Sequence, residues 1–250
     1  MYLQFFGFSN IPFSDTPDVR QFWEDHASHE LFKALLQGLM DGYRLQIVTA
    51  EPGLGKSMLC RRLLNSLRSH KARYDVQFMP FPNLRLGHML DQDLLKGDTG
   101  RHRVLLIDEA QSLSMASLLT LTAALQQAEQ HLQAVLFAQP ELDTRLHSTD
   151  LAPMRELIAQ HYRLEALTEA ETATYVRARI ELAGKCFDDI MDRCLIPQIW
   201  QITGGVPRLI NTLMRKALLH AYETQSPRLT AQHIEQAAMT TAAVAAVPKH

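Results

Sequence analysis

The chain has 250 residues, of which 46% are apolar and 21% charged, with Lys+Arg 25 against Asp+Glu 27 for a formal charge of −2. This balance suits one sizeable domain or a core with a satellite, and it excludes a generally basic nucleic-acid coat while leaving room for a local basic patch. Aliphatic runs such as Val104–Ile107 fall far short of the roughly 20 residues that cross a bilayer, MYLQFFGFSN has no secretory n-region, and three scattered cysteines (Cys60, Cys186, Cys194) argue against a disulfide scaffold. A cytoplasmic protein without a transmembrane segment is the expectation.

Along the chain, short aliphatic runs alternate with longer amphipathic stretches up to about residue 165. That alternation predicts an α/β domain around a mostly parallel sheet. Strands are expected at Leu45–Thr49, Tyr74–Met79, Val104–Ile107, Ala134–Ala138 and Tyr162–Leu164. Helices are expected at Glu30–Met40, Lys56–Ser69, Leu86–Leu95, Met115–Gln130 and Pro153–Gln160. From Thr168 onward strand-like runs stop. Thr168-Glu169-Ala170-Glu171 reads as a capping box opening a helix to about Ala183, and further helices follow near Phe187–Thr203, Pro207–Tyr222 and Thr230–Thr240. The expected division is a core of 1–165, a helical lid of 166–242 and a flexible tail of 243–250.

After the first expected strand comes Ala50-Glu51-Pro52-Gly53-Leu54-Gly55-Lys56-Ser57, followed by Met58 and an amphipathic run. It fits the phosphate-loop pattern G-x-x-x-x-G-K-[ST], except that Ala50 stands where the first glycine is usual. Two glycines let successive N–H groups curl inward at phosphate oxygens, and the helix starting at Lys56 adds its N-terminal dipole. Lys56 is placed to reach the β- and γ-phosphates, and the Ser57 hydroxyl to ligate Mg²⁺. Glu51 through Met58 therefore form the expected ATP-binding segment. The run Val104-Leu105-Leu106-Ile107-Asp108-Glu109 ends a buried strand in two acids. Asp108 suits Mg²⁺, and Glu109 suits polarising a water for attack on the γ-phosphate, which points to hydrolysis rather than transfer to a substrate hydroxyl.

Three strings are more specific: DEAQ at Asp108–Gln111, Leu136-Phe137-Ala138-Gln139-Pro140-Glu141-Leu142, and Gly205-Val206-Pro207-Arg208-Leu209-Ile210-Asn211. With the opening Tyr2…Phe6-Gly7-Phe8, Pro12-Phe13, Thr16-Pro17-Asp18 and Ser28-His29, the chain resembles the AAA+ ATPases of bacterial secretion and pilus assembly, the ExeA/GspA and MshM group. The resemblance implies a P-loop core with a C-terminal helical lid, ATP and Mg²⁺ as cofactors, and partners among secretion or MSHA-like pilus assembly proteins at the inner membrane. It also implies that the opening, with His29, lies against the adenine side, that Gln139 senses the γ-phosphate, and that Arg208 reads the nucleotide from the lid.

The chain departs from that group at several positions. Ala138 replaces a glycine, and the helix ahead reads Leu119-Thr120-Leu121-Thr122-Ala123-Ala124 without the usual Arg and Asn. The stretch between Asn83 and Arg103 is short, and a second arginine before the last core strand has become Leu157, leaving Arg155 as the nearest substitute for a trans-acting finger. Slow hydrolysis and at most a weak or nucleotide-dependent homo-oligomer are therefore expected. Two other readings stay open: a nucleotide-dependent DNA-binding regulator like the transposition ATPases, and an ATP-binding scaffold that no longer hydrolyses. The Gly205–Asn211 string and the opening favour the secretion and pilus assembly reading over these, and DNA is not the expected partner. Eleven histidines show no zinc-ligand spacing, and the basic cluster Arg61, Arg62, Arg68, Lys71 and Arg73 reads as a solvated helix face.

Overall fold

The computed structural model describes residues 2–14, 26–70, 73–80, 101–128 and 132–245. The expected helix Leu86–Leu95, the short stretch 83–103 as far as Gly100, and Thr16-Pro17-Asp18 lie outside them. The chain forms two compact units, one of His26–Glu165 and one that joins Met1–Asp25 to Ala166–His250.

In the first unit five parallel strands run in the order β2-β3-β4-β1-β5, with β1 Leu45–Thr49, β2 Tyr74–Met79, β3 His102–Ile107, β4 Leu132–Ala138 and β5 Ile158–Arg163. The central strands β1 and β4 are buried at every position, which is why they read as near-continuous apolar runs. Their side chains split between two layers at period two. Leu45, Ile47, Leu105, Ile107, Leu136 and Ala138 pack with Leu118, Leu121, Leu125 and Met154 on one face. Val48, Val104, Leu106, Val135 and Phe137 pack with Leu35, Leu39, Leu59, Leu63 and Leu67 on the other. Each such fully buried aliphatic contributes about 1.5–3 kcal/mol of transfer free energy, so the strand ends that carry the site are rigidly held. Gln46 and Gln133 are, with Thr49, the buried polar residues of β1 and β4. Their Nε2 atoms donate to Leu35 O at 3.2 Å and Leu39 O at 3.0 Å, satisfying carbonyls near the end of the helix His26–Met40.

The last expected helix of this unit, Pro153–Gln160, is cut short: helix covers Ala152–Leu157 and Ile158 opens β5. Pairing decides it, since Ile158 lies opposite Leu45 and Gln160 opposite Gln46. β5 is an edge strand with Ala159, Gln160 and His161 exposed, so no apolar alternation announces it.

In the second unit the helices Tyr2–Phe6, Glu169–Leu182, Phe187–Ile190, Ile196–Thr203, Pro207–Glu223 and Ala231–Ala245 enclose a core that includes Phe6, Phe8, Phe13, Val176, Ile180, Phe187, Ile210, Leu213 and Met214. The Thr168 capping box forms as expected, its hydroxyl accepting from Glu171 N–H while Glu171 Oε2 accepts from Thr168 N–H. The expected helix Phe187–Thr203 is broken, because Met191 is extended and Asp192 caps a 3-10 turn at Arg193–Leu195 by accepting from Cys194 N–H at 2.8 Å. The expected core of 1–165 loses Met1–Asp25 to this unit. Arg179, 7% exposed, shows why: its guanidinium donates to Pro12 O and Ser14 O, both at 2.8 Å. The last helix runs through Ala245, inside the expected tail, and 246–250 lie outside the described residues. Among the described residues no helix is long and apolar enough to cross a membrane.

Candidate nucleotide-binding site

The phosphate-loop segment leaves the buried end of β1. Ala50 N–H donates to Ala138 O at 3.1 Å, continuing the ladder to β4 for one more residue. Ala50 is itself buried and its φ is not positive, so glycine is not demanded there and a methyl group fills the space. Gly53 (φ 92°) and Gly55 (φ 103°) do need their freedom. A Cβ at Gly55 would meet nothing within 4 Å, so conformation rather than crowding selects glycine. No side chain caps the helix Lys56–Ser69 that follows, which leaves its N-terminus fitted to an anion. Lys56 is buried, and its Nζ donates to Ala50 O and to Glu51 O (3.2 Å). The ammonium is thus folded onto the loop's own carbonyls.

Facing the loop, β3 ends at Ile107, and Asp108 N–H donates to Met79 O at 2.9 Å. Burial pushes the Asp108 carboxyl above the usual carboxylate range; the Ser57 hydroxyl, the Glu109 N–H and the Lys56 charge pull it down, while the Glu109 charge adds to the rise. The Ser57 side chain therefore lies near enough to the Asp108 carboxyl to lower its pKa, the proximity that two magnesium ligands need. Among the described residues there is no group of three or more His, Cys, Asp or Glu placed to hold a metal. An oxygen pair completed by phosphate and water suits magnesium rather than zinc.

Glu109 has φ 53° and ψ 38°, a left-handed conformation that costs a non-glycine residue about 1–2 kcal/mol. It is retained by the turn Ala110–Ser112, in which Ser112 N–H and Oγ donate to Glu109 O at 3.0 and 2.8 Å. The carboxylate oxygen Oε2 accepts two amide donors, Gln111 Nε2 at 2.6 Å and Gln139 Nε2 at 3.2 Å. Gln139 N–H in turn donates to Gln111 Oε1 at 3.0 Å, and Arg145 Nη1 to Gln111 O at 2.7 Å. Sequence reasoning selected Gln139 but gave Gln111 and Arg145 no role. Gln111 lay inside the quoted DEAQ run, whereas nothing in the sequence marked Arg145.

The remaining expected site residues fall elsewhere. His29 is half-buried on the helix His26–Met40 of the sheet unit. Met58 is half-buried in the first turn of the loop helix. Arg155 donates through Nη1 to Leu146 O and to Ser148 O (2.7 Å), capping the helix Glu141–Leu146 within its own chain. Leu157 packs on the sheet core. Arg208 is exposed in the first turn after Pro207, on the helical unit.

A sequence family described as an AAA domain (AAA_22) matches residues 80–146, a span holding the Asp108–Glu109 pair and the Gln139 strand end. General secretion pathway protein A of Aeromonas hydrophila is 31% identical over 95% of this chain. The chain spans about half the length of that relative, 48%. Among solved structures, Cdc6p from Pyrobaculum aerophilum gives a TM-score of 0.69 at 14% identity, covering 95% of this chain and 74% of that one. The Aeropyrum pernix ORC2 protein in ADPNP–ADP complexes gives 0.66 at 15% identity (96% and 75% covered). The Thermotoga maritima RuvB Holliday junction branch migration motor gives 0.62 at 18% identity (87% and 69%). Identities this low speak to the fold alone. Sheet order, loop and solved neighbours agree on an AAA P-loop NTPase fold, and the chain is similar along nearly its whole length to General secretion pathway protein A.

Proposed function

We propose that the protein binds ATP with magnesium at the Glu51–Met58 loop, hydrolyses it slowly when alone, and serves as an assembly factor for a bacterial secretion or MSHA-like type IV pilus machine. The observation that carries the first two parts is the paired-acid strand end: Asp108 lies beside the loop's Ser57 while Glu109, one residue on, is fixed by Gln111 and Gln139. Lys56 exchanges its loop carbonyls for the β- and γ-phosphates. Ser57 and Asp108 would hold the magnesium ion, which would neutralise negative charge on the phosphates. Glu109 accepts the proton of an attacking water, and Gln139 reads the γ-phosphate beside it. The apolar Leu157 supplies no cation to a neighbour, which supports slow turnover without a partner. The secretion role rests on the relative's name, and attachment to the inner membrane through partner proteins is part of the same proposal.

The test pairs two variants. Lys56→Ala should lose ATP affinity measured by calorimetry with Mg²⁺, and retained affinity within threefold removes the site assignment. Glu109→Gln should bind ATP as the parent does and hydrolyse it on the order of 10²-fold more slowly. That trapped variant should retain purified secretion or pilus assembly components in ATP and release them in ADP; nucleotide-independent failure to retain any removes the assembly role.

A further inference from the structure

The two amides around Glu109 are not equivalent. Glu109's left-handed backbone turns the chain so that Gln111, two residues later, comes back onto it, with Nε2 2.6 Å from Oε2. The other end of the same amide, Oε1, accepts the backbone N–H of Gln139 at the end of β4. One side chain thus ties the end of β3 to the end of β4, and it places Gln139 where its own Nε2 reaches the same carboxylate oxygen at 3.2 Å. Both donations fall on Oε2. Among the described residues no bond is made to Oε1, the oxygen left to take a proton from water. Gln111 is held in turn at its carbonyl by Arg145.

We propose that Gln111 is the positioning residue of the hydrolytic step: its amide bridges Glu109 and Gln139, fixing the carboxylate with one oxygen toward the attacking water and coupling base and sensor into one unit. The proposal rests on the reading of Glu109 as general base. A turn that merely needed a linking side chain would require only the acceptor end of Gln111, toward Gln139 N–H. The short bond is instead made by the donor end, toward Glu109. Losing it frees a carboxylate whose placement sets the rate, and displacement by about 1 Å in such a site costs up to roughly 10²-fold.

Gln111→Glu separates the two ends. It keeps the length and the acceptor but puts a carboxylate oxygen where a donor faced Glu109, so a linking role survives it and a positioning role does not. In single-turnover hydrolysis with Mg²⁺, Gln111→Ala and Gln111→Glu should both be roughly 10- to 100-fold slower than the parent. Calorimetry should show ATP and ADP affinities within threefold of the parent's. Affinity for ADP–aluminium fluoride, which mimics the transferring phosphoryl group, should fall for both. Because Gln111 acts through Glu109, adding Gln111→Ala to Glu109→Gln should slow hydrolysis no further. Gln111→Glu within twofold of the parent in rate and fluoride-complex affinity overturns the inference, as does a double variant slowed by the product of the two single effects. If Glu109→Gln itself hydrolyses at the parent rate, the base reading falls and this inference with it. An impaired Glu109→Gln beside a normal Gln111→Ala removes this inference alone.

Discussion

Adjacent glycines in the helical unit allow two components of stability to be separated by two methyl groups. Gly204 (φ 58°) ends the helix Ile196–Thr203 by donating to Trp200 O at 2.8 Å, and a Cβ there would meet nothing within 4 Å. Gly205 (φ 71°) differs, since its Cβ would lie 1.9 Å from Leu167 O and 2.9 Å from Leu167 C. Backbone cannot yield as a flexible side chain does. Leu167 is also bonded on both sides, its N–H to Gly205 O and its carbonyl to Trp200 Nε1, each at 3.0 Å. Gly204→Ala should therefore cost only the left-handed conformation, about 1–2 kcal/mol. Gly205→Ala adds the loss of both hydrogen bonds at ~0.5–1.5 kcal/mol each, a further ~1–3 kcal/mol. At ~2–4 °C per kcal/mol for a chain of this size, the second variant should melt on the order of 5 °C below the first. The assay is a fluorescence-detected melt in a Trp23→Phe background, so that Trp200, bonded to the disputed carbonyl, reports the transition. Melting temperatures within about 1 °C of each other would refute the close-contact reasoning.

Asp108→Asn should raise the melting temperature at neutral pH in the absence of nucleotide and magnesium. Burial raises the folded carboxyl above the ordinary aspartate value, so its ionised form costs stability that is absent below that ordinary value and grows as pH rises through the folded one. The gain from Asn should fade toward pH 4, while magnesium-dependent ATP affinity drops; a melting temperature unchanged at pH 7 contradicts the desolvation account. For His233, burial and the His220 charge lower the ring's pKa below 6.5, and its Nδ1 accepts the Thr230 N–H at 3.1 Å, so stability should decline as pH falls from about 6.5 toward the folded value. His233→Gln should flatten that limb in thermal melts, and an unaltered limb would assign it to other groups. Arg155→Ala should lower stability by roughly 1 kcal/mol through the uncapped carbonyls of Leu146 and Ser148. It should leave specific activity independent of protein concentration; a steep concentration dependence that Arg155→Ala abolishes and Lys56→Ala subunits restore would show a trans-acting finger instead.

Legibility followed burial. β1 and the helix Lys56–Ser69 have the boundaries that their aliphatic spacing predicts, because a strand covered on both faces and a helix seated on the sheet carry their apolar pattern openly. β5 did not, since one layer of partners and an exposed edge ask little of Ala159, Gln160 and His161. The interruption at Met191–Asp192 is set by a single Asp cap, a local bond that competes with helix without disturbing hydrophobic spacing. At the site, the loop lysine and the paired acids were readable because their spacing along the chain is their geometry. The Glu109–Gln111–Gln139 bridge was not, because it joins residues from two strand ends through polar side chains that leave no periodic trace.

Arg179 reaches Pro12 across 167 positions of sequence, and that bond sets an order on the birth of the molecule. Synthesis is vectorial, so Phe6, Phe8 and Phe13 leave the ribosome long before Val176, Ile180 and Phe187, against which they pack, exist. The sheet unit, His26–Glu165, contains all of its own strands and is complete while the helical half is still being translated. During that interval three phenylalanines wait without their core. On the nascent chain these three side chains therefore stay without most of their packing partners until the residues from Leu167 to Ala237 have been made.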